Sequence, residues 1–121
     1  MQNMKKKILV VDDEPDILEF LQEILEDEGY AVTTTDKGEY AENLHNGGLP
    51  HLILLDMLLS GKDGREIAKH LKKQDETKHI PVIMFSAHPS AEAAALAAGA
   101  DDFLAKPFEI DELLAKIAQY I

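Results

Sequence analysis

Cysteine is absent from the 121 residues. Its absence excludes a disulfide scaffold, a thiolate metal site and a cysteine nucleophile. Positive charge is scarce: 12 Lys and Arg stand against 23 Asp and Glu, for a formal net charge of −11. A chain so acidic has no electrostatic grip on DNA, RNA or an anionic membrane. Long hydrophobic runs are missing too. The longest near the N-terminus is Ile8-Leu9-Val10-Val11, far short of a signal-peptide core or a span of ~20 residues, so a cytoplasmic protein is expected. What is present is ordinary for a globular domain: 45% hydrophobic and 29% charged residues. The length suits one domain over 1–121, which buries roughly two thirds of its unfolded surface.

Along the chain, short apolar runs alternate with stripes at helical spacing. Ile8–Val11 reads as a buried strand, and 15–28 as a helix with Pro15 in its first turn and Gly29 as its stop. Tyr30–Thr35 is rich in β-branched residues and reads as a second strand. Asp36 with Glu39 has the form of a capping box opening a helix to about Leu44, ended by Asn46-Gly47-Gly48. His51–Leu55 is a third strand stopping at Asp56, and Asp63 with Glu66 is a second capping-box pattern before a helix carrying Ile67, Ala68 and Leu71. Ile80–Phe85 is a fourth strand ending at Ser86, and Ser90 is placed to cap a helix from Ala91 to Ala98. A short strand near Asp102-Phe103-Leu104 and a final helix with Ile110, Leu113, Leu114, Ile117, Ala118 and Ile121 complete five βα units. Nearly continuous apolar strands imply helices on both faces of a parallel sheet, and right-handed crossovers make it open and doubly wound.

In such a sheet, ligands gather beyond the carboxyl ends of the strands. The first strand ends in Asp12-Asp13-Glu14, the third in Asp56, the fourth in Ser86, and the fifth is followed by Lys106-Pro107. Two carboxylates ~4 Å apart repel by about 4 kcal/mol at an effective dielectric near 20. Protonation of one relieves this; so does a hard divalent cation, and Mg²⁺ suits one or two carboxylates plus phosphate oxygens. With Ser86 and Lys106 to hold phosphoryl oxygens, the set has the makings of a phosphoryl-transfer site with Asp56 as nucleophile. The plainer alternative is that each aspartate caps a helix or faces solvent. Asp13 before Glu14-Pro15 fits that reading and Asp63 fits it well. Asp56 fits it poorly, because Met57-Leu58-Leu59 follows rather than a helix.

Taken together, Ile8–Pro15 with its Asp12-Asp13-Glu14, Leu55-Asp56-Met57 with Asp63-Gly64, Ser86-Ala87-His88, and Gly99-Ala100-Asp101-Asp102-Phe103-Leu104-Ala105-Lys106-Pro107-Phe108 resemble the receiver domain of bacterial two-component response regulators. The resemblance covers essentially the whole chain, and it implies a flavodoxin-like α/β fold of five parallel strands in the order 2-1-3-4-5 with five helices. It implies that Asp56 accepts a phosphoryl group from the phosphohistidine of a sensor histidine kinase or phosphotransfer protein. It implies Mg²⁺ held by Asp13, Asp56 and the backbone carbonyl of Leu58, with Asp12 acting through a water. Lys106 would pair with the phosphoryl group and Ser86 would hydrogen-bond it. Lys106-Pro107 would be a cis peptide, and Phe103 a switch aromatic that moves inward as Ser86 shifts. Such a domain assists its own phosphorylation and dephosphorylation, signals to a downstream protein target, and is a monomer or a phosphorylation-dependent dimer.

Two positions depart from the family pattern. Ser60 stands four residues after Asp56, where proline is common, and Phe103 where tyrosine is common. The wide apolar stripe of 15–28, with Leu18 or Phe20 at one edge, either docks a helical phosphodonor or is a generously buried core face. His45, His51, His70, His79 and His88 lack metal-ligand spacing and read as surface or loop residues, with His88 near enough to Ser86 to affect water access. Lys5-Lys6-Lys7 reads as a solvated lead-in. Rival readings are weaker. A haloacid-dehalogenase-type phosphatase needs a second Asp where Leu58 stands, a flavodoxin would not place three acids in its phosphate loop, and no P-loop pattern occurs. No output domain is read within the 121 residues.

Overall fold

A computed structural model describes residues 5–44, 48–59 and 61–121. His45, the Asn46-Gly47 part of the expected helix stop, and Ser60 lie outside the described residues. Five strands, β1 (Lys7–Val11), β2 (Ala31–Thr35), β3 (Leu52–Asp56), β4 (Val82–Ser86) and β5 (Asp102–Ala105), form one sheet. Every pairing is parallel, and the spatial order is β2-β1-β3-β4-β5. The helices are α1 (Pro15–Asp27), α2 (Gly38–Glu42), α3 (Gly64–Lys73), α4 (Glu92–Ala97) and α5 (Ile110–Tyr120).

Alternation along the strands separates two core layers. Leu9, Val11, Ile53, Leu55, Val82, Met84 and Phe103 face one way, with Ala41 of α2, Ile67, Ala68 and Leu71 of α3, and Ala95 of α4. Ile8, Val10, Leu52, Leu54, Ile83, Phe85 and Leu104 face the other, with Leu21 and Leu25 of α1 and Leu113 and Ile117 of α5. Fully buried strands need both layers, which is why β1, β3 and β4 read as unbroken apolar runs. The edge strand β2 needs only partial cover, and its Thr33 is exposed. Among the described residues no helix is long and apolar enough to cross a membrane.

Two capping expectations change and a third holds in part. Asp36 does not cap α2: the helix starts at Gly38 with Lys37 at its N-cap and no side-chain cap, and the Thr35 hydroxyl accepts the Lys37 N–H at 3.0 Å. The first residue of α2 is packed closely, since a Cβ on Gly38 would lie 2.6 Å from Ile67 Cδ1. Ser90 does not cap α4 either, because Pro89–Ala91 forms a 3₁₀ turn and Ala91 occupies the N-cap position. Asp63 does cap α3, accepting the Arg65 N–H at 2.9 Å, while Glu66 turns to Lys69 instead of completing a box. Gly29 ends α1 with φ +99, a conformation that L side chains resist.

Gly64 has another task. A Cβ there would overlap the Asp56 carbonyl oxygen and lie 2.9 Å from Met57 Cα, both backbone atoms that cannot swing aside. Its N–H donates to the Met57 carbonyl at 2.9 Å. The start of α3 is thus pressed onto the end of β3, where Asp56 stands. Gly64→Ala is expected to cost about 2–3 kcal/mol in urea unfolding through overpacking. Gly29→Ala, which meets no atom within 4 Å, should cost only about 1 kcal/mol, from φ alone.

Candidate functional site

The carboxyl ends of β1, β3 and β4 and the residue after β5 meet at one edge of the sheet. Asp12 follows β1, and its backbone N–H donates to the Thr35 carbonyl at 3.1 Å. Its side chain is fully buried, and its Oδ1 accepts the Glu14 N–H at 2.8 Å. That bond turns the chain into α1 and brings Asp13 to the same place. Asp56 is the last residue of β3 and only 6% exposed. Carboxylate oxygens of Asp12, Asp13 and Asp56 all lie within 4.8 Å of one another. Asp13 is therefore part of the cluster and not the helix cap; the N-cap position of α1 is Glu14.

Lys106 supplies the positive charge. Its Nζ is 3.0 Å from Asp12 Oδ2, 3.5 Å from Asp56 Oδ2 and 3.7 Å from the exposed Glu14 carboxylate. Burial works against the ammonium, but the Asp12 hydrogen bond and the charges of Asp56, Asp12 and Glu14 outweigh it and raise its pKa. Asp56 moves in the opposite sense. Burial first, then repulsion from Asp12, raises its pKa to about 6, against the pull of Lys106 and a backbone hydrogen bond from Leu58. One ammonium does not balance the carboxylates, and the remaining negative charge is carried by oxygens suited to a hard divalent cation. Three acids, two of them buried, with no sulfur or nitrogen ligand among them fit Mg²⁺ by chemistry, and no histidine joins the cluster among the described residues.

The other expected residues fall around this cluster. Ser86 ends β4 and is buried, its carbonyl accepting the Lys106 N–H at 2.7 Å. Its hydroxyl accepts the His88 N–H at 3.1 Å, which leaves its own proton to donate. Leu58 is in a two-residue antiparallel ladder, Leu58–Leu59 against Lys62–Asp63, and its side chain is exposed. The Lys106–Pro107 peptide is cis. Phe103 is buried in the core layer with Met84 and Ala95 rather than poised outside. A phenyl ring has no hydroxyl that burial would leave without a partner. The described histidines stay peripheral: His51 Nδ1 takes the Lys7 N–H at 2.9 Å, His70 sits against Gln74 at 2.7 Å, and His79 and His88 are exposed.

Sequence reasoning missed Phe85. Read only as a core strand residue, it lies under the Lys106 ammonium, 4.8 Å from ring centroid to Nζ. Nothing in an apolar strand run marks one member as a cation's neighbour. It also missed the end of the sheet away from the site, where Lys72 Nζ bonds Asp101 at 2.7 Å and the Ile80 carbonyl at 2.9 Å.

Because the Asp56 pKa is raised, folding binds a proton that the unfolded chain releases near pH 4. The stabilisation from protonated Asp56 is complete below about pH 4 and is lost as pH rises through about 6. Without divalent cation, Asp56→Asn should therefore stabilise the protein by about 3 kcal/mol at pH 8. Urea unfolding should show that gain shrinking toward zero by pH 4.

Comparison with known proteins agrees with this geometry. The family described as the response regulator receiver domain matches residues 8–118. The phosphate regulon transcriptional regulatory protein PhoB of Escherichia coli (strain K12) is 40% identical over 116 residues, covering 94% of this chain and 51% of that protein. The chain thus spans about half the length of the curated relatives it matches. The response regulator TrrA of Thermotoga maritima, solved in complex with Mg(2+)-BeF, superposes with a TM-score of 0.86 at 35% identity, covering 96% of this chain and 99% of that one. The chemotaxis protein CheY4 of Vibrio cholerae superposes with a TM-score of 0.88 at 28% identity, covering 98% and 100%. With its acids, its lysine and its strand order all in place, the chain belongs to the response regulator receiver domain family, the phosphoacceptor domains of phosphorelay signalling.

Proposed function

We propose that Asp56 is the phosphoacceptor and that the donor is the phosphohistidine of a sensor histidine kinase or phosphotransfer protein. The observation that carries this reading is the Lys106 ammonium, 3.5 Å from the Asp56 carboxylate and 3.0 Å from Asp12. An Asp56 oxygen attacks phosphorus, the donor's N–P bond breaks, and the imidazole leaves with the electron pair. Asp56 must be ionised to attack, and a pKa of about 6 leaves it so at neutral pH. Asp13, Asp56 and the Leu58 carbonyl would hold Mg²⁺, with Asp12 joining through a water. When bound, the ion neutralises the carboxylates and the arriving phosphoryl oxygens. Lys106 then pairs with one of those oxygens and Ser86 donates to another.

The phosphoryl group adds charge where a carboxylate stood. Ser86 turns its free hydroxyl proton toward a phosphoryl oxygen, and the Pro89–Ala91 turn, tied to that hydroxyl through the His88 N–H, follows. Phe103, buried in the layer shared with α4, registers that shift. Several kcal/mol of differential stabilisation are needed to reverse a two-state population, and a few charge-assisted hydrogen bonds of about 1.5–3 kcal/mol each supply them. The output surface is α4, β5 and α5, facing a downstream protein. We place the domain in the cytoplasm, as a monomer or a phosphorylation-dependent dimer, with no direct contact to nucleic acid or membrane. It assists its own phosphorylation and dephosphorylation and has no separate enzymatic substrate.

The donor's docking site is the groove of about 350 Å³ beside Lys106, lined by Ile17, Phe20, Leu21, Ala87, Pro107 and Phe108. Phe20 is 49% exposed there, whereas Leu18 packs against the core layer beneath α1. Two measurements test the reading. Asp56→Asn should take up no label from acetyl phosphate with Mg²⁺; wild-type labelling would reject the acceptor assignment. Phe20→Ala should slow transfer from the protein donor about tenfold or more and leave transfer from acetyl phosphate within about twofold. Equal slowing with both donors would reject the groove.

A further inference from the structure

We propose that Phe85 is a positioning residue for Lys106: its ring seats the ammonium that meets the phosphoryl group, and Phe108 holds that ring. The proposal rests on the phosphoacceptor reading above. Lys106 Nζ lies 4.8 Å from the Phe85 ring centroid, within the range of about 6 Å over which an aromatic face attracts a cation.

The lysine needs such a seat. A lysine stem is flexible and its ammonium carries three donors that turn freely. Here three carboxylates compete for it, at 3.0, 3.5 and 3.7 Å, and the farthest belongs to Glu14, whose side chain is 64% exposed. An ammonium that followed Glu14 outward would leave Asp56. The ring opposes this without consuming an N–H donor, so all three remain for oxygens. It also favours the charged form, the one that binds a phosphoryl group.

The ring is a fixed reference. Phe85 is 1% exposed and stands mid-sheet, opposite Asp56 of β3 and Leu104 of β5. Its carbonyl accepts the Met57 N–H at 3.0 Å, so the backbone carrying the ring is tied to the residue after Asp56. Phe108 meets it edge-on, with centroids 6.1 Å apart and planes at 75°. Lys106 and Phe108 come from the same short segment after β5, one touching the Phe85 ring as a cation and the other as an aromatic partner. Phe108 also lines the groove beside α1. Phe108 thus lines the docking groove on one side and braces the buried Phe85 ring on the other.

Replacing Phe85 with phenylalanines carrying one, two and three ring fluorines tests the proposal, because fluorine drains the ring face of negative charge while keeping its shape. The readout is beryllofluoride affinity at saturating Mg²⁺, beside the thermal midpoint of each variant. Affinity should fall stepwise along the series, by about three- to tenfold in total, with the midpoint nearly constant. Phe85→Leu should fall at least as far. A flat series would show that the ring only fills space and would overturn the proposal. In wild type without ligand, the Lys106 Cε protons should resonate upfield from the ring current; unshifted protons would overturn the contact itself. Failure of wild type to bind beryllofluoride would overturn the phosphoacceptor reading, and this role with it, a result distinct from a flat series.

Discussion

The crowding of negative charge at the end of β1 and β3 is the constraint around which this molecule is arranged. Asp12 and Asp56 are nearly inaccessible to water, and Asp13 brings a third carboxylate within 4.8 Å of both. Solvent would screen such a cluster; burial removes most of that help. The chain answers with a single buried ammonium, Lys106, contributed by the segment after β5. The compensation is incomplete: burial, and then repulsion from Asp12, keep the Asp56 pKa raised against the pull of Lys106. A cluster held in deficit of positive charge is primed for a cation and for the group that arrives with it.

Holding that deficit requires rigid neighbours. The two apolar layers clamp the strands from both faces, so the strand ends cannot drift apart to relieve repulsion. Gly64 lets α3 press directly on the Asp56 carbonyl. The Asp12 side chain is committed to the Glu14 N–H, which ties the acid to the first turn of α1. At the far end of the sheet, Asp101 accepts both the Val82 N–H and Lys72, joining β4 to α3. Stability is thus concentrated in the frame, and the strained electrostatics are confined to one edge, as functional sites commonly show.

Much of this was legible in one dimension. The parallel sheet followed from apolar runs separated by helical stripes, and the edge that gathers Asp12, Asp13, Asp56, Ser86 and Lys106 followed from the rule that strand ends converge. Element ends were less legible. Asp36 and Ser90 carry good capping chemistry, but α2 starts one residue later with Lys37 at its N-cap, and Pro89 opens a 3₁₀ turn ahead of α4. Phe103 reads in the sequence as a switch aromatic that moves inward, and the structure has its ring already in the core layer with Met84 and Ala95.

Local sequence determined which residues would be strands, which would be helices, and which types of polar group would stand at the strand ends, because periodicity and turn chemistry are short-range properties. Tertiary structure alone decided the distances: that Lys106, 94 positions from Asp12, would touch it, and that Phe85, met edge-on by Phe108, would lie beneath that ammonium. Those meetings depend on how two core layers pack against a twisted sheet. Packing is a sum over neighbours far apart in the chain, and no window of sequence contains it.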